Sequence, residues 1–359
     1  MALFTPFSLR SVTIPNRVGV SPMCQYSAER GLANDWHLVH LGARAIGGAG
    51  LVMTEAAAVS PEGRISPQDL GLWNDEQVSP LARIASFVSA QGSVPAIQLA
   101  HAGRKASTKR PWDGGGPASL EAGGWSPLLA PSAVPFDDGW QTPEVLDENG
   151  MARIVGAFVS AARRASAAGF RAVEIHAAHG YLLHQFLSPI SNRRTDALGG
   201  SLESRMRFPL RVVEAVRSAW PAELPLLLRI SATDWVEGGF IPDEAVVFAR
   251  QARTLGVDLV DCSSGGMDPR AQVPVGPGYQ VPFAARIRAE AGVATAAVGL
   301  ITTPRQAADI VEHGHADLVF LGREMLRAPH WALQASCELG TPLPGPRPYE
   351  RARPFGSAL

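Results

Sequence analysis

Phe170-Arg-Ala-Val-Glu-Ile-His176-Ala-Ala-His179-Gly-Tyr181 holds the strongest clue to the architecture of this chain. Its first six residues form a short, mostly apolar run that predicts a buried β-strand. Two imidazoles and one phenol follow at the end of this run. They offer two donors for a carbonyl oxygen and one proton donor. Such a set suits a reaction in which a polarised carbonyl compound receives hydrogen, and the electron source must lie elsewhere in the chain.

Seven further short apolar runs occur along the chain, separated by longer amphipathic segments. Buried runs that alternate with helices indicate parallel strands in βα units. Eight such units predict a (β/α)8 TIM barrel. The predicted strands are 17–23, 51–55, 95–99, 172–176, 226–230, 259–263, 294–298 and 318–321. The predicted helices are 36–46, 75–90, 149–168, 202–218, 243–255, 282–291, 304–312 and 331–339.

Local signals support these helices. Ser201 and Thr303-Pro304 are typical of helix starts, and four glycines stand where helices are expected to end: Gly169, Gly256, Gly292 and Gly314. The alternative architecture is a doubly wound open sheet. That fold usually carries a glycine-rich phosphate turn after its first strand, and Ser21-Pro-Met-Cys24 is not such a turn.

Composition narrows the class of protein. The 359 residues, 46% of them hydrophobic and 18% charged, predict a sizeable core and one domain over 1–359. A net charge of -1 without long basic runs argues against nucleic acid or an anionic membrane as partner. The sequence starts without a secretory signal and has no stretch long enough to span a bilayer. The three scattered cysteines form neither a disulfide framework nor a CxxC metal site, so we expect a cytoplasmic protein.

Residues 104–146 interrupt the alternation of strands and helices. This segment is rich in Gly, Pro, Ser and Trp, and loops of such length are usually functional or disordered. It follows the third predicted strand on the face where barrel active sites lie, so we expect a cap over the site. A disordered insertion is the alternative. Four aromatic residues argue against disorder: Trp112, Trp125, Phe136 and Trp140.

The predicted strand ends carry donors for a ligand rich in acceptors and negative charge. They hold amide, guanidinium and imidazole groups, and we expect no carboxylate cluster there beyond Glu55. Gly299 follows the seventh strand, and Gly322-Arg323 follows the eighth. Barrels frequently bind phosphate at these two loops, where backbone N–H groups approach it and an arginine clamps it. The alternative is an ordinary turn glycine and a surface arginine.

Six motifs together resemble the old yellow enzyme family, and more narrowly its bacterial thermophilic-like and xenobiotic reductase branch. The resemblance implies a (β/α)8 flavoprotein with non-covalent FMN and with NADPH or NADH as reductant. Its members reduce the C=C bond of α,β-unsaturated carbonyl compounds, and the substrates implied here are enones, enals, maleimides and nitro compounds. The motifs are Ser21–Tyr26, Thr54–Ala56, Gln98–Lys105, His176–Leu182, Ser191–Gly200 and Leu321–Arg323.

The resemblance also implies which residues hold FMN. Arg229 is placed to neutralise the charge that reduction puts near N1 of the flavin, and Gln98 can pair with the pyrimidine edge through both amide atoms. Cys24 lies close to the flavin in this branch and is expected to tune it or contact substrate; a buried small hydrophobe is the alternative. The implied cofactor-binding residues are Ser21, Pro22, Met23, Cys24, Ala56, Gln98, Arg229, Gly299, Gly322 and Arg323.

The opening motif then supplies the chemistry. His176 and His179 are predicted to bind the substrate carbonyl and stabilise its developing charge, and Tyr181 is predicted to deliver a proton to Cα. Tyr26 and Lys105 are further substrate-binding candidates. The 340–359 tail resembles one that crosses a dimer interface, so Arg351 is predicted in a neighbour's site within a homodimer or homotetramer; a frayed terminus is the alternative.

Other functions were weighed against this one. His176 and His179 could chelate zinc, but no third ligand stands at a suitable spacing, so no metal is predicted. A dienoyl-CoA-reductase-like relative would need cysteines for an iron–sulfur cluster. A flavin-free aldolase or isomerase barrel would leave Arg229 and Gln98 without a shared ligand. A non-catalytic flavin-binding protein would make Tyr181 and the histidines superfluous.

Overall fold

The computed structural model describes residues 1–352, and its centre is a closed barrel of eight parallel strands. A short antiparallel hairpin of β1 (Phe7–Leu9) and β2 (Val12–Ile14) precedes it. The barrel runs in chain order, and its last strand pairs with its first. Its strands are β3 (Val18–Val20), β4 (Leu51–Ala58), β5 (Val94–Ala100), β8 (Ala172–Ala177), β9 (Leu226–Ser231), β10 (Leu259–Ser263), β11 (Ala294–Ala297) and β12 (Leu318–Leu321). The predicted (β/α)8 fold is confirmed.

Two strands differ from their predicted bounds in ways that shape the site. β3 ends at Val20, so Ser21–Cys24 leave the barrel as a loop at its carboxyl edge. β4 continues past its predicted end to Ala58. Its register with β5 shifts between Met53 and Ala56, and pairing resumes from Ala56 to Ala58. Such a shift re-aims side chains along a strand. Ala56 therefore lies inside the strand, directly opposite Gln98.

Helices cover the outside of the barrel, close to their predicted positions. The Ser201 and Thr303 side chains cap the helices that follow them, and the four predicted terminal glycines all have positive φ. A 3-10 turn at Asp75–Gln77 separates off the start of the predicted helix 75–90. The long helices are α1 (Asp35–Ile46), α2 (Val78–Ala90), α3 (Glu148–Ala167), α5 (Leu202–Ala219), α6 (Pro242–Thr254), α7 (Val281–Ala291), α8 (Pro304–Glu312) and α10 (Trp331–Glu338).

Two short helices were not predicted, and both lie beside predicted site residues. They are α4 (Leu182–Leu187), which follows Tyr181, and α9 (Arg323–Arg327), which follows Gly322. Both are too short to show a helical period. Every residue of α4 is buried, including the polar His184 and Gln185, so the helix has no exposed polar face either. No helix in the described part of the chain is long and apolar enough to cross a membrane.

The segment 104–146 has secondary structure of its own and reaches the mouth of the barrel. Strands β6 (Leu129–Ala130) and β7 (Glu144–Val145) pair within it. The ring of Trp112 lies 5.6 Å from that of Tyr26, and Trp125 Nε1 donates a hydrogen bond to the Glu62 carbonyl. The segment therefore reaches the side of the barrel mouth where Tyr26 was predicted to bind substrate, and its role as a cap stays a prediction.

Candidate active site

A cavity of about 270 Å³ opens at the carboxyl ends of the barrel strands. Its walls come mainly from the loops after β3, β10, β11 and β12. It brings together six of the ten residues predicted to bind the cofactor: Ser21, Met23, Arg229, Gly299, Gly322 and Arg323. The loops after the seventh and eighth barrel strands therefore meet where the sequence predicted a phosphate site.

The cavity has room for such a group. A Cβ built on Gly322 would meet only Met23 Sδ, at 3.8 Å, so the space beside this backbone is open. Gly299 has a φ of +120°, and a Cβ there would lie 2.7 Å from Gln280 Nε2. A side chain at Gly322 would fill this space, and one at Gly299 would strain its loop. The two glycines and the exposed Arg323 thus fit the phosphate end of FMN.

Below the cavity, four buried polar side chains cross four neighbouring strands. Gln98 Nε2 on β5 donates to Glu174 Oε1 on β8 at 2.7 Å. Arg229 on β9 pairs through Nε with Asp261 Oδ2 on β10 at 3.0 Å, and its Nη2 donates to Ser21 Oγ at 3.2 Å. The Arg229 guanidinium and the Gln98 amide of this layer match the acceptor atoms along the pyrimidine edge of a flavin. That is the role that the resemblance implied for these two residues.

The expectation of no carboxylate cluster beyond Glu55 was wrong. Glu174 and Asp261 are both fully buried in this layer. Each stands two residues before a predicted site or strand-end residue, His176 and Ser263. Because side chains alternate across a strand, residues two apart share a face. That spacing was the signal in the sequence for both acids. Glu55 itself is held by His37 Nε2 at 3.1 Å and accepts from the Gln25 amide.

His176, His179 and Tyr181 gather at one point. The His176 ring lies 5.1 Å from that of His179 and 5.0 Å from that of Tyr181, both edge to face. His176 is the penultimate residue of β8, whereas His179 and Tyr181 belong to the loop between β8 and α4. His179 has a φ of +56°, a strained conformation of the kind that clusters at functional sites.

Hydrogen bonds indicate which ring nitrogens can face a ligand. Nδ1 of His176 accepts from the Ala178 amide at 3.2 Å, so the proton sits on Nε2, which can donate. Nε2 of His179 lies 2.7 Å from Ser263 Oγ, which leaves Nδ1 for a ligand. Ser264 Oγ donates to Gln280 Oε1 at 2.6 Å, closer than Ser263 does at 3.3 Å. We therefore assign the Ser263 hydroxyl as the donor to His179 Nε2, which places the ring proton of His179 on Nδ1.

The electrostatics keep both histidines neutral. Burial lowers the pKa of His176 and of His179 well below the usual value, and the charge of Arg229 lowers both further. Burial raises the pKa of the Tyr181 phenol well above its usual value, so this phenol keeps its proton. The site thus offers two uncharged N–H donors and one O–H donor.

The turn that presents Tyr181 is held from both sides at Gly180. The Gly180 amide donates to His184 Nδ1 at 2.9 Å, and its carbonyl accepts from Gln185 Nε2 at 2.7 Å. His184 Nε2 is in turn 3.0 Å from Asp234 Oδ1. The side chains of His184, Gln185 and Asp234 are fully buried. His184 is therefore structural, and it acts on the backbone directly before Tyr181.

Lys105 and Tyr26 also reach this part of the site. Lys105 Nζ donates to the His179 carbonyl at 2.8 Å and to the Gly266 carbonyl at 2.9 Å, and it lies 5.2 Å from the Tyr181 ring centre. Burial and the charge of Arg104 lower the pKa of Lys105 to about 7. Tyr26 has a φ of +51° and stacks edge-on against Trp112 of the cap.

Several predicted residues stand apart from the main cavity. Among the residues that do not line it are Pro22, Cys24, Ala56 and Gln98, together with His176, His179 and Tyr181. Burial raises the pKa of the Cys24 thiol, so it stays protonated. Arg351 is exposed in the 3-10 turn Arg347–Ala352, and the last seven residues of the predicted tail, 353–359, lie outside the described residues. Over residues 1–352, no three His, Cys, Asp or Glu side chains form a group that could hold a metal ion.

Known proteins of one family match nearly the whole chain. The model of the NADH:flavin oxidoreductase / NADH oxidase family matches residues 2–341. An NADPH dehydrogenase of Geobacillus sp. (strain WCH70) is 47% identical over 355 residues, which cover 98% of this chain and 99% of the relative. The NADPH dehydrogenase of Bacillus subtilis (strain 168) is 45% identical over 351 residues, with 97% and 98% covered.

Solved structures share the fold over nearly the whole chain. An old yellow enzyme homologue from Zymomonas mobilis has a TM-score of 0.79 at 26% identity, covering 96% of this chain and 94% of its own. Morphinone reductase in complex with tetrahydroNAD has a TM-score of 0.78 at 28% identity, covering 97% and 93%. The chain therefore belongs to the NADH:flavin oxidoreductase / NADH oxidase family, the old yellow enzyme family that its motifs predicted, and is an oxidoreductase that uses FMN and NAD(P)H.

Proposed function

We propose that this oxidoreductase is an ene-reductase, which reduces the C=C bond of α,β-unsaturated carbonyl compounds. The observation that carries the proposal is the convergence of His176, His179 and Tyr181 beside Arg229, which lies opposite His176 in the pairing of β8 with β9. A reductase that only passed electrons to an acceptor would need neither a pair of N–H donors nor a protonated phenol. Similarity to morphinone reductase, a reductase by name, also supports the proposal.

The two histidines bind the substrate carbonyl oxygen. Nε2–H of His176 and Nδ1–H of His179 are the donors left by the hydrogen bonds around them. FMN, when bound, would supply the hydride for Cβ, with NAD(P)H as the source of that hydride. As Cβ accepts hydride, negative charge grows on the oxygen. Each preorganised donor stabilises this charge, an effect worth about 2.7–4 kcal/mol in comparable sites.

Tyr181 completes the reduction by protonating Cα. Its phenol is neutral, because burial raises its pKa, and it stands beside His176. A proton donor fixed next to the carbonyl-binding pair reaches Cα of a substrate held there. We expect trans addition of hydrogen, with this proton delivered to the face opposite the hydride.

The remaining site residues act around this centre. Lys105 uses two of its three N–H donors on backbone carbonyls, so it fixes the strained His179 and has one donor left for substrate. Tyr26 and the cap close the other side. Arg351 is proposed to enter the site of a second copy, in a cytoplasmic homodimer or homotetramer.

The test is a two-stage anaerobic experiment. FMN-loaded protein is first bleached with NADPH and then mixed with 2-cyclohexenone. We expect the flavin absorbance to return and cyclohexanone to form. Cyclohexene, which lacks the carbonyl, is the matched control and should leave the flavin reduced. Bleaching by NADPH without reoxidation by the enone would refute the ene-reductase assignment while leaving the flavin oxidoreductase intact.

A further inference from the structure

The layer beneath the cavity holds two carboxyl groups and one arginine. Asp261 lies directly opposite Arg229 in the pairing of β9 with β10, and Glu174 approaches from β8 on the other side of β9. Both acids have no solvent exposure. With both ionised, this layer would carry a net negative charge inside the barrel, where an uncompensated charge is costly.

The hydrogen bonds do not compensate for a second charge. Glu174 Oε1 accepts from Gln98, and Asp261 Oδ2 faces Arg229. Within residues 1–352, the other oxygen of each carboxyl, Glu174 Oε2 and Asp261 Oδ1, has no hydrogen-bond partner. Unsatisfied buried oxygens disfavour the ionised form.

The charged groups around Glu174 are few. Arg229 on β9 and Asp261 on β10 act on it, β5 contributes only the uncharged Gln98, and its own strand adds the neutral His176. Burial, followed by the charge of Asp261, raises the pKa of Glu174, and burial also raises that of Asp261 against the opposing effect of Arg229. Asp261, which has the ion pair, is the carboxyl that ionises first.

We propose that Glu174 and Asp261 form a buried carboxyl pair that holds one proton, opposes Arg229 and thereby sets the reduction potential of FMN. Asp261 cancels most of the positive charge that Arg229 offers to reduced flavin. Glu174 carries the proton at neutral pH and releases it in alkaline solution, which adds a negative charge below the flavin and lowers its potential. Neither acid touches the reacting atoms.

The first test is the reduction potential of the FMN-loaded protein, measured by equilibrium with a redox dye. The double variant Glu174→Gln/Asp261→Asn leaves Arg229 without an ionisable carboxyl in this layer, so we expect the reduced form to be favoured about tenfold or more, a rise of at least about 30 mV for a two-electron couple. Asp309→Asn on the surface of α8 removes the same formal charge and is the matched control. Equal shifts in both variants would overturn the proposal.

The second test is the pH dependence of that potential. Glu174→Gln keeps the acceptor for Gln98 but cannot ionise. We expect its potential to match the wild type near neutral pH and to fall less steeply in alkaline solution. Parallel curves across the whole range would contradict the role of Glu174. Because no enone takes part in either measurement, these outcomes are independent of the proposed ene-reductase activity.

Infrared spectroscopy of the wild type keeps the proposal testable if a variant fails to fold. A protonated buried carboxyl gives a C=O stretch separate from those of carboxylates. We expect this band at neutral pH, its loss in alkaline solution and its absence in Glu174→Gln. A wild-type protein without the band at neutral pH would refute the proposal that Glu174 carries a proton.

Discussion

Replacing Gly180 by alanine is expected to damage the turn that presents Tyr181. Gly180 has a φ of +73°, and a Cβ there would overlap the carbonyl oxygen of Gly266, lie 2.8 Å from its carbon and 3.0 Å from Met267 Cα. All three are backbone atoms, so no side chain can move aside. The substitution therefore forces the loop between β8 and α4 away from the loop after β10.

The loss in free energy of unfolding has two parts, and other glycines of this chain allow them to be measured separately. A left-handed alanine costs about 1–2 kcal/mol, and the steric conflict adds about 1–3 kcal/mol. Gly200 has almost the same φ, +76°, with nothing within 4 Å of a built Cβ, so Gly200→Ala measures the first part alone. Gly156 lies inside α3 without contacts, and Gly156→Ala should stabilise by about 0.5–1 kcal/mol.

Urea unfolding with saturating FMN gives the free energies of unfolding. We expect the order Gly156→Ala, wild type, Gly200→Ala and Gly180→Ala, from most to least stable. Reoxidation by enone should slow about 100-fold in Gly180→Ala, since a misplacement of about 1 Å costs that much, and should stay normal in Gly200→Ala. Gly180→Ala as stable and as active as Gly200→Ala would refute the argument from the contact with Gly266.

Three further predictions test the site itself. Tyr181→Phe should slow reoxidation by enone about 10²–10⁴-fold and leave reduction by NADPH unchanged in stopped-flow traces; equal slowing of both would contradict the proton-donor role. The pKa values of His176 and His179 are lowered, so both imidazoles stay neutral at solution pH values well below the usual histidine pKa. Binding of a phenol ligand, followed by its long-wavelength band, should therefore be constant through pH 6.5, and an inflection there would contradict the assignment. Arg323→Ala should weaken FMN binding about tenfold or more in a fluorescence titration, whereas a change below twofold would move the phosphate elsewhere.

The sequence determined the barrel and most of the site by itself. Eight buried runs alternating with helices predict a parallel sheet, because both its faces must be covered and its connections need helices. The number of units and the lack of a glycine-rich turn after the first strand favour the closed barrel over an open sheet. Strand ends then place His176, Gly299 and Gly322 at one face, whatever the details of packing. The six motifs identified the family and its flavin.

Only the tertiary structure decided how these side chains are held. Glu174, on β8, had no visible partner in the sequence, because Arg229 and Asp261 lie on strands that are distant along the chain and adjacent only in the barrel. The tautomer of His179 depends on Ser263, 84 residues away, and the turn at Gly180 depends on the backbone of Gly266. Periodicity reports which face a residue occupies, but contacts between distant strands and loops exist only once the barrel has closed.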